Sequence, residues 1–516
     1  MARVLTDDER TIFNRMLRTI RSKRRRNQLR TDYMEMERKL DKLGFSIPPH
    51  MQSFQTAIGW PAKAVRVPVQ RVRPDGYRLK TRSELLDKIN ETLQDPYVQM
   101  LERAAIESAG LHSCAFMFVT KGDQSQDEPE LVFAARSAIE ATAETDMRTG
   151  RVTAALEIVS KSEMYLFLPG WTLQLERVGS GRDAWQVTHE YKGEAGFVPC
   201  VPYRWGFSLE KPFGTSLMTN AVMGHTDAAT RTLLRGEVNA EFYSAPRAAL
   251  MGADEAHFQD AKGNRVSPLD AMIGGVWGVP DTYDEEVGEL QRADLKFLPQ
   301  ASQQPHNDQL RAISMMIAAD TGIPVSYFGI IQDNPASADA IRAAEAELVS
   351  RVEDQLKPIG AARRMLAEAV IRLTYGEFSD TARSTLKSLR PDFLSPATLT
   401  KSVQADTAQK FVAAFPWAAE SDTALEMFGL DIDQIDRLKQ ERQRVLGAQR
   451  LELLSAAARG TDTSAGQGEQ TSLRDRADAL GVLRRAGVTA DSAARLAGLE
   501  GVEFIEGDPI TIRTGD

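Results

Sequence analysis

Apolar residues recur every three to four positions near the start of the chain. Positions such as Met16 and Ile20 follow this spacing, which predicts one or two helices over residues 6–43. Thr6 and Glu9 stand three residues apart, as in a capping box, where each side chain accepts a hydrogen bond from a backbone N–H of the first turn. The pattern predicts a well-defined helical start.

The pattern then changes to one typical of strands. Three valines at alternate positions predict a strand over residues 64–72, and Pro68 indicates a sheet edge. Helical patterns near 82–110 give way to short apolar and aromatic runs over 112–205, separated by turn residues. We expect an α+β arrangement for this part of the chain.

Two long helical patterns in the middle of the chain enclose a strand-like insertion. The patterns cover about 215–243 and 306–321, and the residues between them return to short strands and turns. Gly322 follows the second pattern, where a glycine can end a helix in the left-handed conformation. A turn-prone stretch then precedes the longest helical pattern of the chain.

This longest pattern runs to Tyr375 and is interrupted at Pro358, which predicts one kinked helix of close to forty residues. Ser337 is one candidate N-cap, and Asn334 followed by Pro335 is the other. Glu347 and Arg351 are spaced to form an ion pair along the helix. A buried stripe is predicted at Ile341, Ala344, Leu348, Val352 and Leu356.

The composition is that of a globular protein rather than a membrane or secreted one. The 516 residues are 42% hydrophobic and 26% charged, and no apolar run is long enough to span a bilayer. The start lacks a signal-peptide core, and two cysteines exclude a disulfide framework. The net charge of −9 argues against a protein that grips nucleic acid through a broad basic surface.

The search for catalytic or metal-binding motifs is negative. The chain has no Gly-Lys dipeptide and hence no phosphate-binding P-loop, and its six histidines are scattered. Cys114 and Cys200 lie in apolar runs, which predicts buried, inert thiols. No catalytic, cofactor-binding or metal site is expected.

One basic run stands out against the acidic balance: Arg21, Lys23, Arg24, Arg25 and Arg26. The run could contact phosphates. The acidic balance favours the alternative, a solvated helix face or a contact with acidic residues of a neighbouring subunit.

The order of these elements, together with several stretches, resembles the portal proteins of tailed bacteriophages, above all those of the long-tailed siphophages. The stretches are YMEMERKLDKLG, FVPCVPYRW, NAEFYSAPRAALMGAD and ADTGIPVSYFGIIQDNPASADAIRAAEAELVSRVEDQLKPIG. The likeness extends from about Tyr33 to Asp406.

The resemblance implies an α+β portal fold with long stem helices and a kinked tunnel helix, a small β-containing clip insertion, an α+β wing and a helical C-terminal crown. Its parts map as follows: N-terminal wing 1–214, stem helices 215–243 and 302–321, clip 244–301, tunnel loop 322–336, tunnel helix 337–375 with its distal part joining the wing, wing return 376–395, crown 396–460, and linker with flexible tail 461–516.

The resemblance also implies a ring, usually of twelve subunits, at one capsid vertex of the virion, made in the cytoplasm of the bacterial host. Double-stranded DNA would pass through its channel without sequence specificity, driven by the terminase large subunit docked on the clip. Head–tail adaptor proteins, the major capsid protein and the scaffolding protein are the other implied partners, with no membrane and no cofactor.

The implied channel residues fall into two groups. Those of the loop are Ile330, Ile331, Gln332, Asp333, Asn334, Pro335 and Ser337, and those of the tunnel helix are Asp339, Arg342, Glu345, Glu347, Arg351, Glu353 and Asp354. Residues 337–357 carry five acids against three bases, a balance suited to a surface that must not hold phosphates.

Three other functions remain as alternatives. The first is another scaffold or adaptor protein of the virion, and the second is an enzyme whose site is assembled from distant residues such as Asp183, His189, Asp320 and Asp333. The third is a sequence-specific nucleic-acid binder that uses the basic run. The acidic balance and the missing motifs disfavour the last two.

Overall fold

The structure is a computed structural model that describes residues 3–38, 40, 47, 56–79, 84–179, 181, 184–243, 248–251, 282–284, 289–291, 294–297, 302–329, 338–375, 379–397, 401–459, 479–483 and 490–499. The chain divides into two compact units, Met1–Ile432 and Asp433–Asp516. The sites discussed below all lie in the first unit.

The described helices are α1 (Asp7–Met34), α2 (Trp60–Gln70), α3 (Glu84–Leu93), α4 (Pro96–His112), α5 (Asn220–Tyr243), α6 (Gln304–Thr321), α7 (Ala338–Tyr375), α8 (Asp380–Ser388), α9 (Lys401–Ala414), α10 (Asp422–Met427), α11 (Ile432–Arg459) and α12 (Ala490–Leu496). In the part of the chain that the structure describes, none of them is long and apolar enough to cross a bilayer.

The described strands are β1 (Arg3–Val4), β2 (Arg73–Arg78), β3 (Cys114–Lys121), β4 (Leu131–Ser137), β5 (Ala141–Thr145), β6 (Val152–Ile158), β7 (Glu163–Leu168), β8 (Trp171–Arg177), β9 (Trp185–Lys192), β10 (Cys200–Arg204), β11 (Ala248–Met251), β12 (Thr282–Asp284), β13 (Glu289–Gln291), β14 (Asp294–Phe297) and β15 (Arg390–Leu394).

The strands form antiparallel sheets. The largest has the order β1-β9-β8-β7-β6-β5, and a three-stranded sheet has the order β10-β3-β4. Three two-stranded pairs complete the set: β11 with β14, β12 with β13, and β15 with β2. This mixture of long helices and antiparallel sheets confirms the α+β class.

Three apolar clusters hold the first unit together. Helix α1 packs Met16 and Ile20 onto one face of the six-stranded sheet. The other face of that sheet meets the three-stranded sheet, where Phe118 and Phe167 stack with ring centroids 4.7 Å apart. The largest cluster lies where the three-stranded sheet packs against α2, α4 and α7.

Several expectations are confirmed in detail. Thr6 and Glu9 form the reciprocal capping box at the start of α1. Gly322 ends α6 in the left-handed conformation, with φ of 70°. Helix α7 runs for 38 residues through Pro358, which confirms one long helix, while its kink stays a prediction. Both cysteines are buried and unpaired.

The strand predicted over 64–72 is wrong, because residues 64–70 belong to α2. Trp60, Ala64, Val65 and Val69 are buried and recur at helical spacing, so the alternating valines are part of a helical stripe. The strand begins only at Arg73. Three alternating positions are too few to distinguish the two-residue period of a strand from the period of about 3.6 residues of a helix.

Two further predictions differ from the structure, and a third is tested only in part. Helix α1 ends at Met34, because Met36 takes a left-handed backbone with φ of 62°, and residues 39 and 41–43 of the predicted helical stretch lie outside the described residues. Helix α5 begins at Asn220 and not at 215, because the backbone N–H groups of Thr215 and Leu217 donate to the carbonyls of Trp205 and Gly110. Helix α8 precedes the extended piece at β15 and was not predicted.

Candidate functional site

The long helix α7 has two halves with different surroundings. We call residues 338–357 its proximal half and residues 358–375 its distal half. In the proximal half, Leu348 and Val352 are buried, whereas Ile341 is 52% exposed and Ala344 is also exposed. The first two positions of the predicted stripe are therefore not covered within this chain, and only one side of the proximal half is packed in it.

Glu345 is buried and does not lie on the exposed side. Its Oε1 accepts hydrogen bonds from Arg71 Nη2 at 2.8 Å and from the Tyr327 hydroxyl at 2.8 Å. The expectation that Glu345 lines a channel is therefore wrong within this chain. Burial, followed by the hydrogen bond to Glu345, raises the pKa of Tyr327, so its hydroxyl keeps its proton.

The turn that follows α6 is fixed to α2. Residues Val325–Phe328 form a 3₁₀ turn. The indole Nε1 of Trp60 donates to the Phe328 carbonyl at 3.1 Å, and the two rings meet edge to face with centroids 6.0 Å apart. Lys63 donates to the Tyr327 carbonyl. The stretch that enters the predicted loop is therefore held in place by α2 up to Gly329.

Arg351 joins the end of α6 to α7. Its Nη1 donates to the Asp320 carbonyl at 3.2 Å, and its Nη2 donates to Glu347 at 2.6 Å. A Cβ added to Gly322 would lie 2.8 Å from Arg351 Nε, so a larger residue would have to displace this side chain and also adopt the left-handed backbone that favours glycine. Asp320 also pairs through its carboxylate with His225 Nε2 at 2.8 Å.

The remaining charges of the proximal half face outward. Arg342, Glu347, Arg351, Glu353 and Asp354 are all exposed. The side chain of Asp354 accepts from Lys357 at 3.3 Å, with 71% of the Asp354 side chain exposed. Asp339 belongs to α7, but its side chain lies outside the described part of the chain. Residues 330–337, which include the predicted loop residues, also lie outside it.

The distal half is enclosed by other elements and centres on a buried ion pair. Arg363 Nε donates to Glu102 Oε1 at 2.9 Å, and both side chains are less than 5% exposed. Tyr203 donates to the same oxygen at 2.8 Å. Arg363 Nη1 donates to the carbonyls of Gly76 and Asp392, each at 3.0 Å. One guanidinium thus connects α7 to α4, β2 and β15, and Glu102 in turn binds Tyr203 of β10.

The aromatic neighbours of Arg363 complete this arrangement. Its guanidinium lies 4.6 Å from the Tyr77 ring centroid. Burial, above all, raises the pKa of Tyr77 and that of Tyr203, so both phenols stay neutral. Near the end of α7, Arg372 binds Glu368 and Glu194 and covers the Phe197 ring.

The five residues of the basic run are exposed on α1. Within the described part of the chain none of them forms an ion pair. One turn later, Arg30 is half-buried, and its pKa is lowered to about 10 by burial and then by Arg26.

The described residues contain no cluster of three or more metal-binding side chains. Burial raises the pKa of Cys114 to about 11 and that of Cys200 well above its usual value, which keeps both thiols protonated. Of the residues considered for an enzyme site, His189 is exposed on β9 and Asp320 pairs with His225, while Asp183 and Asp333 lie outside the described residues.

No protein-family profile matches the chain. Two curated proteins are similar to it. The portal protein of Mycobacterium phage L5 is 26% identical over 391 residues, which cover 74% of this chain and 77% of the relative. The portal protein of Mycobacterium phage D29 is 24% identical over 429 residues, covering 81% and 85%.

The chain is a relative of phage portal proteins. Its function is that of a portal, the head–tail connector of a phage particle, and its role is structural rather than enzymatic. The portal resemblance carried by the loop and the long helix is thereby confirmed, and the chain is a virion component.

Solved structures also align with this portal-type chain, at low similarity. A gene transfer agent virion aligns at 15% identity with a TM-score of 0.40, covering 77% of this chain and 93% of the other. The neck of an empty gene transfer agent particle, computed with C6 symmetry, aligns at 14% identity with a TM-score of 0.42 and the same coverage. A TM-score below 0.5 does not establish a common fold.

Sequence reasoning missed the residues that hold α7 in place. Arg71 and Trp60 fix the 3₁₀ turn, and Glu102 and Arg363 fix the distal half. A signal was present, because Glu102 and Arg363 are ionisable residues within otherwise apolar helix faces. A charge on a buried face requires a partner, although the sequence does not say which one.

Proposed function

We propose that copies of this chain assemble into a closed ring of twelve at one capsid vertex, around a channel that double-stranded DNA enters and later leaves. The similarity to the portal proteins of two mycobacteriophages carries this proposal. The proximal half of α7 supports it, because a long helix that is packed on one side only has a large surface available to a channel or to neighbouring copies.

The exposed charges of the proximal half suit a channel wall. Glu347, Glu353 and Asp354 are exposed, and the bases among them are offset by acids along the helix. Each phosphate that a wall neutralises adds salt-sensitive affinity, which would hold DNA back. We assign these three acids to the wall and exclude Glu345, because it is buried and accepts hydrogen bonds from Arg71 and Tyr327.

The apolar residues of the proximal half suit an interface between copies. Ile341 is 52% exposed and Ala344 is exposed beside it. In a ring each copy meets the next one through two different surfaces, and rotation closes the set. A neighbouring copy that covers Ile341 would complete the stripe that this chain leaves open at its first two positions.

The remaining parts follow the portal arrangement. The clip, 244–301, would receive the terminase large subunit during packaging and head–tail adaptors afterwards, while the wing would meet the major capsid and scaffolding proteins. Residues 330–337 would project into the channel, since they directly follow the turn that α2 holds. Assembly would take place in the cytoplasm of the bacterial host.

Mass photometry of the purified chain tests the ring. Twelve copies of a 57.0 kDa chain weigh about 680 kDa, and class-averaged electron images down the ring axis count the subunits. A monomer or dimer under every assembly condition, with scaffolding protein present as well, contradicts the proposal.

A deletion of residues 330–335 tests the channel loop. We expect rings to form as for the unaltered chain, because the described anchors of the turn end at Gly329. DNA packaging or retention in particles should fall. Normal packaging by this variant would show that the loop makes no functional contact with DNA.

A further inference from the structure

The basic run gives α1 a positively charged surface, the basic face of α1, defined as Arg21, Lys23, Arg24, Arg25 and Arg26, of which Arg21, Arg24 and Arg25 lie on one side of the helix. Between residues 15 and 30 the chain carries eight bases and no acid, although its net charge is −9. Pairs such as Arg21 with Arg25 lie one helical turn apart, where like charges destabilise a helix. This local excess of positive charge would be relieved by an anionic partner.

An acidic groove lies elsewhere in the same unit. A groove of about 730 Å³ runs between α3, α4, β4 and the end of α7. Glu91, Asp95, Glu128 and Glu130 are exposed and line this acidic groove, and Lys88 is the one base in its lining. Its floor is apolar and includes Ile89 and Phe133.

The two surfaces do not satisfy each other within one chain. None of the ion pairs in the described residues joins the basic face to the acidic groove, and the five basic residues are all exposed. Two complementary surfaces on one chain that cannot meet within it are what a head-to-tail contact between identical copies requires.

We infer that the acidic groove of one copy receives the basic face of α1 from the next copy in the ring. This inference rests on the ring proposed above and names two surfaces that would build it. Guanidinium groups would meet the carboxylates at the rim, and arginine stems would cover part of the apolar floor. Tyr97, which lines the groove and is 59% exposed, offers a ring face to a guanidinium.

A second copy fits better than DNA as the partner of the basic face. DNA would satisfy the bases but would leave the acidic groove without a counterpart, whereas a second copy satisfies both surfaces at once. Arg21, Arg24 and Arg25 lie on one side of the helix and would face the four acids of the groove together. Contacts of this kind are screened by salt, so ring assembly should weaken as ionic strength rises.

Charge reversal tests the inference through three variants of the full chain. The first carries Arg24→Glu and Arg25→Glu, the second carries Glu91→Lys and Glu130→Lys, and the third combines all four. We expect each double variant to raise the concentration at which half of the chains are in rings by about tenfold or more. The combined variant should restore assembly to within about threefold of the unaltered chain.

A matched control reverses Lys192 and Glu176, two exposed residues of the six-stranded sheet that line neither surface. It should assemble normally. Thermal unfolding of all variants checks that each one folds, which is expected because every altered side chain is exposed.

The outcomes separate this inference from the proposed function. Rings formed normally by both double variants, or no restoration in the combined variant, overturn the inference and leave the ring itself intact. If the first variant assembles normally but loses affinity for a double-stranded DNA fragment, the basic face is a DNA contact instead. If the unaltered chain forms no ring, the proposed function fails first.

Discussion

The proximal and distal halves of α7 belong to one continuous helix, yet they have opposite environments. The distal half is enclosed, with Ile359, Leu366 and Val370 buried and Arg363 only 2% exposed. The proximal half is packed along one side and presents charged residues elsewhere. The difference indicates that the distal half anchors the helix in the unit, so that the proximal half can be held out toward other molecules.

The charges of the two halves differ in the same way. Arg363 is bound by a carboxylate, two carbonyls and two aromatic rings, and it is inaccessible to solvent. The ion pair of Glu347 with Arg351 is about half exposed, with side-chain exposures of 61% and 49%. Buried pairs are costly to break, whereas exposed pairs contribute little. Substitutions can therefore test the comparison directly.

The largest effect is expected from Glu102→Gln in α4, because Glu102 is the counter-charge of Arg363 in the distal half of α7. This change leaves Arg363 buried without a counter-charge, and we expect unfolding free energy to fall by about 3–5 kcal/mol. Chemical denaturation at neutral pH measures the loss. Glu353→Gln, on the exposed side of α7, is the matched control. A loss below about 1 kcal/mol would mean that solvent reaches Arg363 after all.

A smaller loss is expected from Glu345→Gln, in the part of the proximal half that is packed. The change weakens the hydrogen bonds from Arg71 and Tyr327, and we expect a loss of about 1–3 kcal/mol. Hydrogen exchange should accelerate in Val325–Phe328, because the hydrogen bond from the Tyr327 hydroxyl to Glu345 is one of the contacts that anchor the turn. Unchanged exchange there would show that Trp60 and Lys63 hold the turn alone.

Gly322→Ala tests the corner between α6 and α7. Alanine must adopt a φ of 70° and displace Arg351 Nε, so we expect a loss of about 1–2 kcal/mol in unfolding free energy. Gly224→Ala is a useful control, because a Cβ there meets nothing within 4 Å and lies in helix α5. It should be neutral or slightly stabilising.

The smallest effect on stability is expected at the exposed acids. The triple variant Glu347→Gln, Glu353→Gln and Asp354→Asn should change unfolding free energy by less than about 1 kcal/mol. Its effect should instead appear in DNA passage, where packaging becomes more sensitive to low salt as repulsion of phosphates is lost. A large loss of stability with normal packaging would reverse the roles that we give to the two halves.

Much of the local structure could be predicted from the sequence because local interactions decide it. The capping box of Thr6 and Glu9, the stop at Gly322 and the length of α7 depend on residues within one or two turns. The strand predicted over residues 64–72 is wrong because three alternating valines fit the spacing of a strand and also that of a helix. Burial of Trp60 and Ala64 on the same face selects the helix.

The surroundings of the charged residues could not be predicted in this way. Glu345 was assigned to a channel because it is acidic and lies among acids, yet Arg71, 274 positions away, holds it in the interior. Arg363 was not singled out at all, although Glu102 binds it from 261 positions away. Such pairs form only when separate elements meet.

By itself, the sequence determined the α+β class, the long helix with its start and stop signals, and the resemblance to phage portal proteins. These follow from short-range periodicity, backbone preferences and recognisable stretches of residues. The tertiary structure decided which half of α7 is enclosed, which charges are buried and which remain exposed. Burial and pairing are properties of side chains brought together from distant positions, and their energies depend on that environment more than on residue type.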